Sequence, residues 1–385
     1  MAIGGTDALS PPEAFVRACL RLRVAPASLA AAQAAAAALD GAWDAVRAIA
    51  DAERLGPLLH ASAGSRGLLP PALAAHVHRR YRESALRNRL LFDALTSCAR
   101  ALRSAGVPVI VLKGTALAAT LYGDAALRPM VDLDLLVHPR HRGVARQVLE
   151  RLGYVASRPE VHPGALIEHE SEIDLQKPGA VPTHVDLHWG LFDSPHYQHR
   201  IEPEWLWRTA IALPLGSETV QGLAPAPLVL HLSGHLMLHH GGHGLLWWHD
   251  LSEVVVAHAD RLDWEELLAR ARRYDLQLVL RRVLTELAVQ WQAPVPPAVL
   301  AALQRCEPRP QEAWLFDRLA GAPRPAGERF WTDLVSTVGW GARWRFAVAH
   351  LFPTAAYMRQ RYAIRHPLLV PLYYPYRWWR GIIGA

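Results

Sequence analysis

The pattern of apolar and polar positions changes character twice along the chain. Up to about residue 100 it is helical. Alanine dominates Ser28–Leu39, and Trp43, Val46 and Ile49 recur every three residues, as one buried helical face requires. Gly56-Pro57 and Leu69-Pro70-Pro71 interrupt this pattern, which resumes over His76–Ser104. After Gly106 the signal becomes that of strands. Val107–Leu112 is a short apolar run rich in β-branched residues, and Val131–Val137 is a second strand, closed by Pro139. Arg140–Leu152 reads as a helix ending at Gly153, and Tyr154–Ser157 as a third strand. Leu166–Gln176 and His184–Leu191 flank a Pro-Gly turn as a hairpin would. From Pro225 onward helical spacing returns in Leu228–Leu238, Leu251–His258, Trp264–Tyr274 and Leu276–Trp291. The pattern predicts an α/β (α+β) chain. A small mixed-sheet core over residues 101–222 stands between an N-terminal helical region, 1–100, and a C-terminal one, 223–385.

Composition narrows the class. A chain of 385 residues with 51% apolar and 20% charged residues can bury a sizeable core and is not disordered. Its formal charge of +6 is spread over both halves without a long basic run, so no specific nucleic acid is expected as a partner. Three cysteines, odd in number and far apart (Cys19, Cys98, Cys306), argue against a disulfide framework and for a reducing, cytoplasmic setting. Residues 1–15 lack a basic start followed by an apolar run, so no secretory signal is expected there. The uncharged stretch Thr219–His249 holds six histidines, two prolines and five glycines, which suit a soluble segment better than a membrane span.

Candidate chemistry gathers in the middle of the chain. In Val111-Leu112-Lys113-Gly114-Thr115 a strand ends at a glycine followed by a hydroxyl residue, and a helix follows. Backbone N–H groups at such a helix start can receive phosphate oxygens. Asp132 and Asp134, two apart on a strand, share one face within an otherwise apolar run. Two adjacent carboxylates repel unless a cation neutralises them, and magnesium is a cation that also binds phosphates. Neutralising one of them, as in Asp134→Asn, is expected to relieve that repulsion in the metal-free protein. Asp186 in His184-Val185-Asp186-Leu187-His188 offers a third acid, with His184 and His188 on its face. Three carboxylates from two adjacent strands can hold two metal ions. Arg128, just before the acidic strand, either balances phosphate charge or pairs with Asp132 or Asp134.

These residues resemble a known superfamily. Lys113-Gly114-Thr115, Leu121-Tyr122-Gly123-Asp124, Arg128 and Asp132-Leu133-Asp134-Leu135-Leu136-Val137 look like the nucleotidyltransferases typified by DNA polymerase β. A bacterial branch of uncharacterised nucleotidyltransferase-like proteins is similar in more detail. It shares the Leu-Lys-Gly strand end, the Leu-Tyr pair, Asp-x-Asp-Leu-Leu-Val, Val-Asp-Leu-His-Trp, and a later helix of histidines leading to an acid, here His231, His235, His239 and His249-Asp250. The resemblance covers about Trp43 to Pro297. It implies a magnesium-dependent enzyme, with two Mg2+ ions or Mn2+, that moves a nucleoside monophosphate from an NTP, with ATP expected, and releases pyrophosphate. Gly114 and Thr115, with Lys113 and Arg128, would hold the triphosphate, while Asp132, Asp134 and Asp186 would be metal-binding and catalytic. Sixteen residues separate Thr115 from Asp132, more than many superfamily members have, so the intervening helix and loop must be longer.

The acceptor is not spelled by any motif in residues 1–100 or 225–385. It is expected to be a hydroxyl or phosphate of a small molecule, saccharide, peptide or protein, held between core and C-terminal region beside His188, His235 and Asp250. The rival readings are a catalytically silent nucleotide-binding scaffold, and a metal-dependent phosphohydrolase of the His-Asp type built on the histidine cluster. The acidic row Glu168, Glu170, Glu172, Asp174 reads as a solvated face, with Glu172 and Asp174 as substitutes for Asp186. Trp378 and Trp379 beside Arg377 and Arg380 read as a packing segment or an interfacial contact.

Overall fold

The N-terminal helices begin where capping allows them to. Ser10 N donates to Glu13 Oε2 at 3.1 Å, and Pro11 fits the first helical turn. Helices Pro11–Val24, Leu29–Ala37, Trp43–Ala52 and Gly56–Ser62 follow, then a 34-residue helix, Pro71–Ser104. The computed structural model describes residues 9–25, 28–158, 160–162, 170–215, 218–321 and 326–383.

The sheet has seven strands: β1 Ile110–Val111, β2 Leu133–Leu136, β3 Val155–Ala156, β4 Glu172–Lys177, β5 Thr183–His188, β6 Ile211–Leu215 and β7 Glu218–Gly222. Their order is β3-β4-β5-β2-β1-β7-β6, with β2/β5 and β1/β7 parallel and the other pairs antiparallel, so the sheet is mixed. The chain is thus an α/β protein with its sheet between helical regions. β4 and β5 form the expected hairpin, starting at Glu172; the first residues assigned to it, 166–169, lie outside the described residues. Of Val107–Leu112 only Ile110 and Val111 pair in the sheet. The β6–β7 hairpin was not foreseen, because Pro214 breaks the strand pattern of β6. β6 is one of the two edge strands, where a missing N–H is tolerated.

One face of the sheet buries Leu133, Leu135, Ile173, Leu175, Val185 and Leu187 against Leu91, Leu95 and Leu102 of the long helix and Val148 and Leu149 of helix Arg142–Arg151. Side chains alternate along strands, so the acids between these positions lie on the opposite face. A second core joins N-terminal Phe15, Leu20 and Leu58 to Val229, Leu251, Leu280 and Trp291. Ion pairs Arg17–Glu286 (3.1 Å) and Arg23–Glu253 (2.7 Å) cross the same boundary. The first hundred residues and the helices after 223 therefore share one interior. The long helix bridges the two cores, with Leu73 and Val77 in one and Leu91–Leu102 in the other.

Beyond Pro225, helix Pro225–Gly234 runs on into a wider π-helical turn, His235–His239, before helix Leu245–His258. Four helices close the chain: Ala326–Ser336, Trp340–Leu351, Ala355–Arg361 and Val370–Ile383. Among the described residues no helix is long and apolar enough to cross a membrane.

Candidate active site

The site is built where β1 hands over to helix Lys113–Thr120. Leu112 N donates to Asp134 O at 3.0 Å, tying the strand end to β2. Lys113 then takes a left-handed backbone, φ 44°, which residues other than glycine adopt rarely and at some strain. Its Nζ lies 2.8 Å from Asp134 Oδ1. The same oxygen is 3.0 Å from His188 Nε2, and His188 Nδ1 is 2.9 Å from Glu172 Oε2. Sheet register explains this convergence. Asp134 stands opposite Asp186 on β5, and Glu172 of β4 stands opposite His188.

Charge in this cluster is unevenly shared. Burial alone would raise the Asp134 carboxyl, but the Lys113 ammonium and the His188 hydrogen bond hold it well below the usual carboxylate range. Burial likewise opposes a charge on His188, yet Glu172 and the hydrogen bond to Asp134 keep it up at about 10, so it is an imidazolium between two carboxylates. Asp186 has no such partner; burial and the Asp134 carboxylate push it up to about 7. Burial and Asp134 also raise Asp132. Neutralising Asp134 would therefore strand Lys113 and His188 instead of relieving repulsion. Asp186 is the acid whose neutralisation relieves it.

Four carboxylates thus meet Lys113 and His188, with Arg54 and the Asp250-paired Arg128 acting on Asp132, and the remaining negative excess is what a divalent cation would meet. Ligand atoms of Asp134, Asp186 and His188 lie within 4.8 Å of one another. Both His188 nitrogens are already engaged by carboxylates, so oxygen donors are what the cluster offers, which suits Mg2+ or Mn2+. The residues fit such an ion.

Arg128 is placed differently from the sequence expectation that it pairs with Asp132 or Asp134. Its Nε donates to both oxygens of Asp250 at 2.9 Å and its Nη2 to Oδ2 at 2.7 Å. Tyr122 adds a hydroxyl to Oδ1 at 2.6 Å, and Asn88 fixes the Arg128 carbonyl at 2.8 Å. A Cβ on Gly114 would come within 3.2 Å of Arg128 Nη1, so the glycine lets the guanidinium lie against the helix start.

A cleft of about 710 Å3 opens over the acids. From the core it is walled by Lys113, Gly114, Arg128, Asp132, Asp134, Glu172 and Asp186, and from the C-terminal half by His235, His239, His240, Arg318, Arg329 and Asp333. Three named residues do not reach it. The Thr115 hydroxyl is buried without a hydrogen-bond partner, His188 lies beneath Asp134, and Asp250 is enclosed by Arg128 and Tyr122. Of the acceptor-side residues only His235 lines the cleft. The histidine run packs on itself: His235 Nε2 is 3.0 Å from His240 Nε2, and the His240 ring stacks on Trp247 at 3.6 Å. Burial, then Lys113, depresses His235 well below an ordinary histidine. Among the described residues this run forms no group of three or more ligands able to share an ion.

The sequence reading missed the Glu172–His188–Asp134 chain as a unit, and Arg54, Arg318, Arg329 and Asp333 altogether. The alternation of Glu172 with Glu170 and Asp174 was visible, but the register that brings Glu172 to His188 was not.

A mixed sheet thus carries carboxylates on adjacent strands, beside a glycine-marked helix start and beneath an enclosing cleft. Residues 40–291 match the family described as uncharacterised nucleotidyltransferase, and the chain belongs to that family. It is accordingly a transferase of nucleotidyl groups. No curated protein matches the sequence. Among solved structures, an antigenic nucleotidyltransferase-like protein from Paracoccidioides brasiliensis is similar at 16% identity over 55% of this chain and 95% of that one, with a TM-score of 0.37.

Proposed function

We propose that the chain transfers a nucleoside monophosphate from a nucleoside triphosphate, with ATP as the expected donor, to an acceptor bound in the cleft, with magnesium dependence and release of pyrophosphate. The observation that supports this is the trio Asp132, Asp134 and Asp186, of which only Asp134 is neutralised by direct cationic contacts, lining a cleft with cationic walls.

Each residue then has a role that follows from its position. Gly114, at the start of helix Lys113–Thr120, offers backbone N–H to phosphate oxygens. Thr115 contributes through its backbone, its hydroxyl being turned inward. Lys113 and Arg128 supply positive charge on the cleft wall. His188, pinned by Glu172, positions the Asp134 carboxylate. Two Mg2+ ions, or Mn2+, at the three aspartates would supply Lewis acidity toward the transferring phosphate.

In the transfer an acceptor oxygen forms a bond to the α-phosphorus, the bond to the bridging oxygen breaks, and pyrophosphate leaves with its electron pair. The acceptor proton passes to Asp186. In-line attack requires the acceptor opposite the leaving group, and the cleft between the sheet and the wall of His235, Arg318 and Arg329 offers the space for it.

The test is incubation with α-labelled nucleoside triphosphates and Mg2+ over purified hydroxyl- and phosphate-bearing acceptors and cell extract. Label transfer that disappears in Asp134→Asn is expected. Nucleotide binding without transfer across the panel would overturn the reading in favour of a silent nucleotide-binding scaffold.

A further inference from the structure

The last four helices carry a surface that the transfer reaction does not use. Large apolar side chains are open to solvent on three of them. Trp331 and Val335 lie one turn apart on helix Ala326–Ser336, and Trp340 and Trp344 do so on helix Trp340–Leu351. Leu372, Tyr376 and Trp379 follow the i, i+4, i+7 spacing of one helical face on Val370–Ile383. Exposure is extreme for such residues: 84% at Trp340, 79% at Leu368, 71% at Trp344 and 69% at Leu372. Helix Ala326–Ser336 packs against Val370–Ile383, so these stripes belong to one module. Soluble surfaces scatter single apolar residues but rarely gather them this way.

Charge separates this module from the rest of the chain. From Leu334 to Ala385 there are seven arginines and no Asp, Glu or Lys. Taking those seven from the chain's 41 basic residues leaves 34, against all 35 acidic ones, so the remainder of the chain is nearly balanced. The arginines accompany the exposed rings. Arg343 Cζ lies 5.7 Å from the Trp340 ring centroid, and Arg380 Cζ 5.9 Å from that of Tyr376. Arg359, Arg361 and Arg365 are exposed just before Leu368 and Leu369. Tryptophan, tyrosine and leucine with arginine, and no acid after Asp333, match the boundary of an anionic bilayer. The rings and aliphatic chains enter the headgroup layer there, and the guanidinium groups meet lipid phosphates.

We propose that residues 326–383 form a docking surface for an anionic phospholipid bilayer, lying on it without crossing it. Helix Ala326–Ser336 also walls the cleft through Arg329, Thr332 and Asp333, so a docked chain holds its cleft beside the lipid.

The test is co-sedimentation of the full chain with phosphatidylcholine vesicles containing or lacking phosphatidylglycerol, at low and raised salt. Binding is expected only with phosphatidylglycerol and is expected to weaken with salt. Each arginine removed at this surface should weaken partitioning about fivefold, so Arg359→Gln, Arg361→Gln and Arg365→Gln together should do so by about a hundredfold. Leu372→Ser with Trp379→Ser, at exposed positions that leave the interior untouched, should weaken binding about tenfold or more. Absence of binding at low salt overturns the proposal, as does equal binding to both vesicle types. Self-association in light scattering that the Leu372→Ser, Trp379→Ser pair abolishes, without vesicle binding, overturns it in favour of a second copy of the chain.

Discussion

Asp134 and Asp250 occupy comparable surroundings. Asp134 is 5% exposed and Asp250 1%, and each accepts from a cationic side chain and a second donor, Lys113 and His188 for one, Arg128 and Tyr122 for the other. The difference lies in what stands next to them. Asp250 meets Arg128 fork to fork and is closed off from the cleft, with Arg128 between the two. Asp134 shares its cations with Glu172, Asp186 and Asp132, so its neighbourhood keeps an excess of negative charge facing a cleft. A buried carboxylate balanced one to one is a clasp between distant segments. An unbalanced group of carboxylates stays strained until a ligand cation arrives.

This contrast can be broken by substitution. Asp134→Asn should lower nucleotidyl transfer by on the order of 10²–10³-fold or more, measured as label transfer with the fold checked by circular dichroism. A variant that turns over normally removes Asp134 from the site. Asp250→Asn should act on the fold instead. Leaving Arg128 buried without its counter-charge should lower unfolding free energy by about 3–5 kcal/mol, read from urea titration. If the loss is under about 1 kcal/mol, Asp250 is no clasp.

Metal sharpens the same comparison. Mn2+ or Mg2+ should raise the melting temperature of the chain by about 2 °C or more. Asp186→Asn should remove that shift and Asp250→Asn should keep it. A shift that survives Asp186→Asn places the ion elsewhere. Smaller still is the effect at Gly114→Ala, where the new methyl presses on Arg128. Overpacking there should cost about 1–2 kcal/mol in thermal or chemical unfolding.

A last effect, read against pH, concerns Asp333 on the far wall of the cleft. Burial pushes its carboxyl up to about 7 despite the nearby Arg329. The folded state therefore holds a proton that the unfolded chain has released above the ordinary Asp range. Stability then falls as pH rises from that range to about 7, and levels off above it. Asp333→Asn should flatten this part of the stability–pH curve between pH 5 and 8. An unchanged slope would show that Asp333 ionises freely.

The legible part of the site was its local part. Asp134 and Asp186 announce themselves because each interrupts an apolar strand, and a strand alternation of two residues assigns them a face without any tertiary knowledge, while Asp132 lies just before β2. The helix start at Lys113-Gly114 is equally local. Arg128 could be seen as a cation near the acids, but its partner lies 122 residues away on helix Leu245–His258, and no spacing rule reaches that far. His188 could be seen on the face of Asp186. That it donates to Asp134 and is held by Glu172 depends on how β4, β5 and β2 align. The left-handed Lys113 is illegible for a different reason. Its backbone is strained and held by its surroundings, so propensity argues against it.

The sequence by itself determined the main helices, the strands that carry the acids (though not the β6–β7 hairpin), which face of those strands is wet, and that three aspartates would stand near a glycine-marked turn. These follow from periodicity and backbone preference, which act within a few residues. Only the tertiary structure decided that the N-terminal helices share a core with those after residue 223, that Asp250 clasps Arg128 and not the cleft, and that Asp134 takes the direct contacts of Lys113 and His188 while Asp186 stays raised. Those outcomes depend on contacts between residues far apart in the chain, where packing and electrostatics choose among partners that local pattern leaves equivalent.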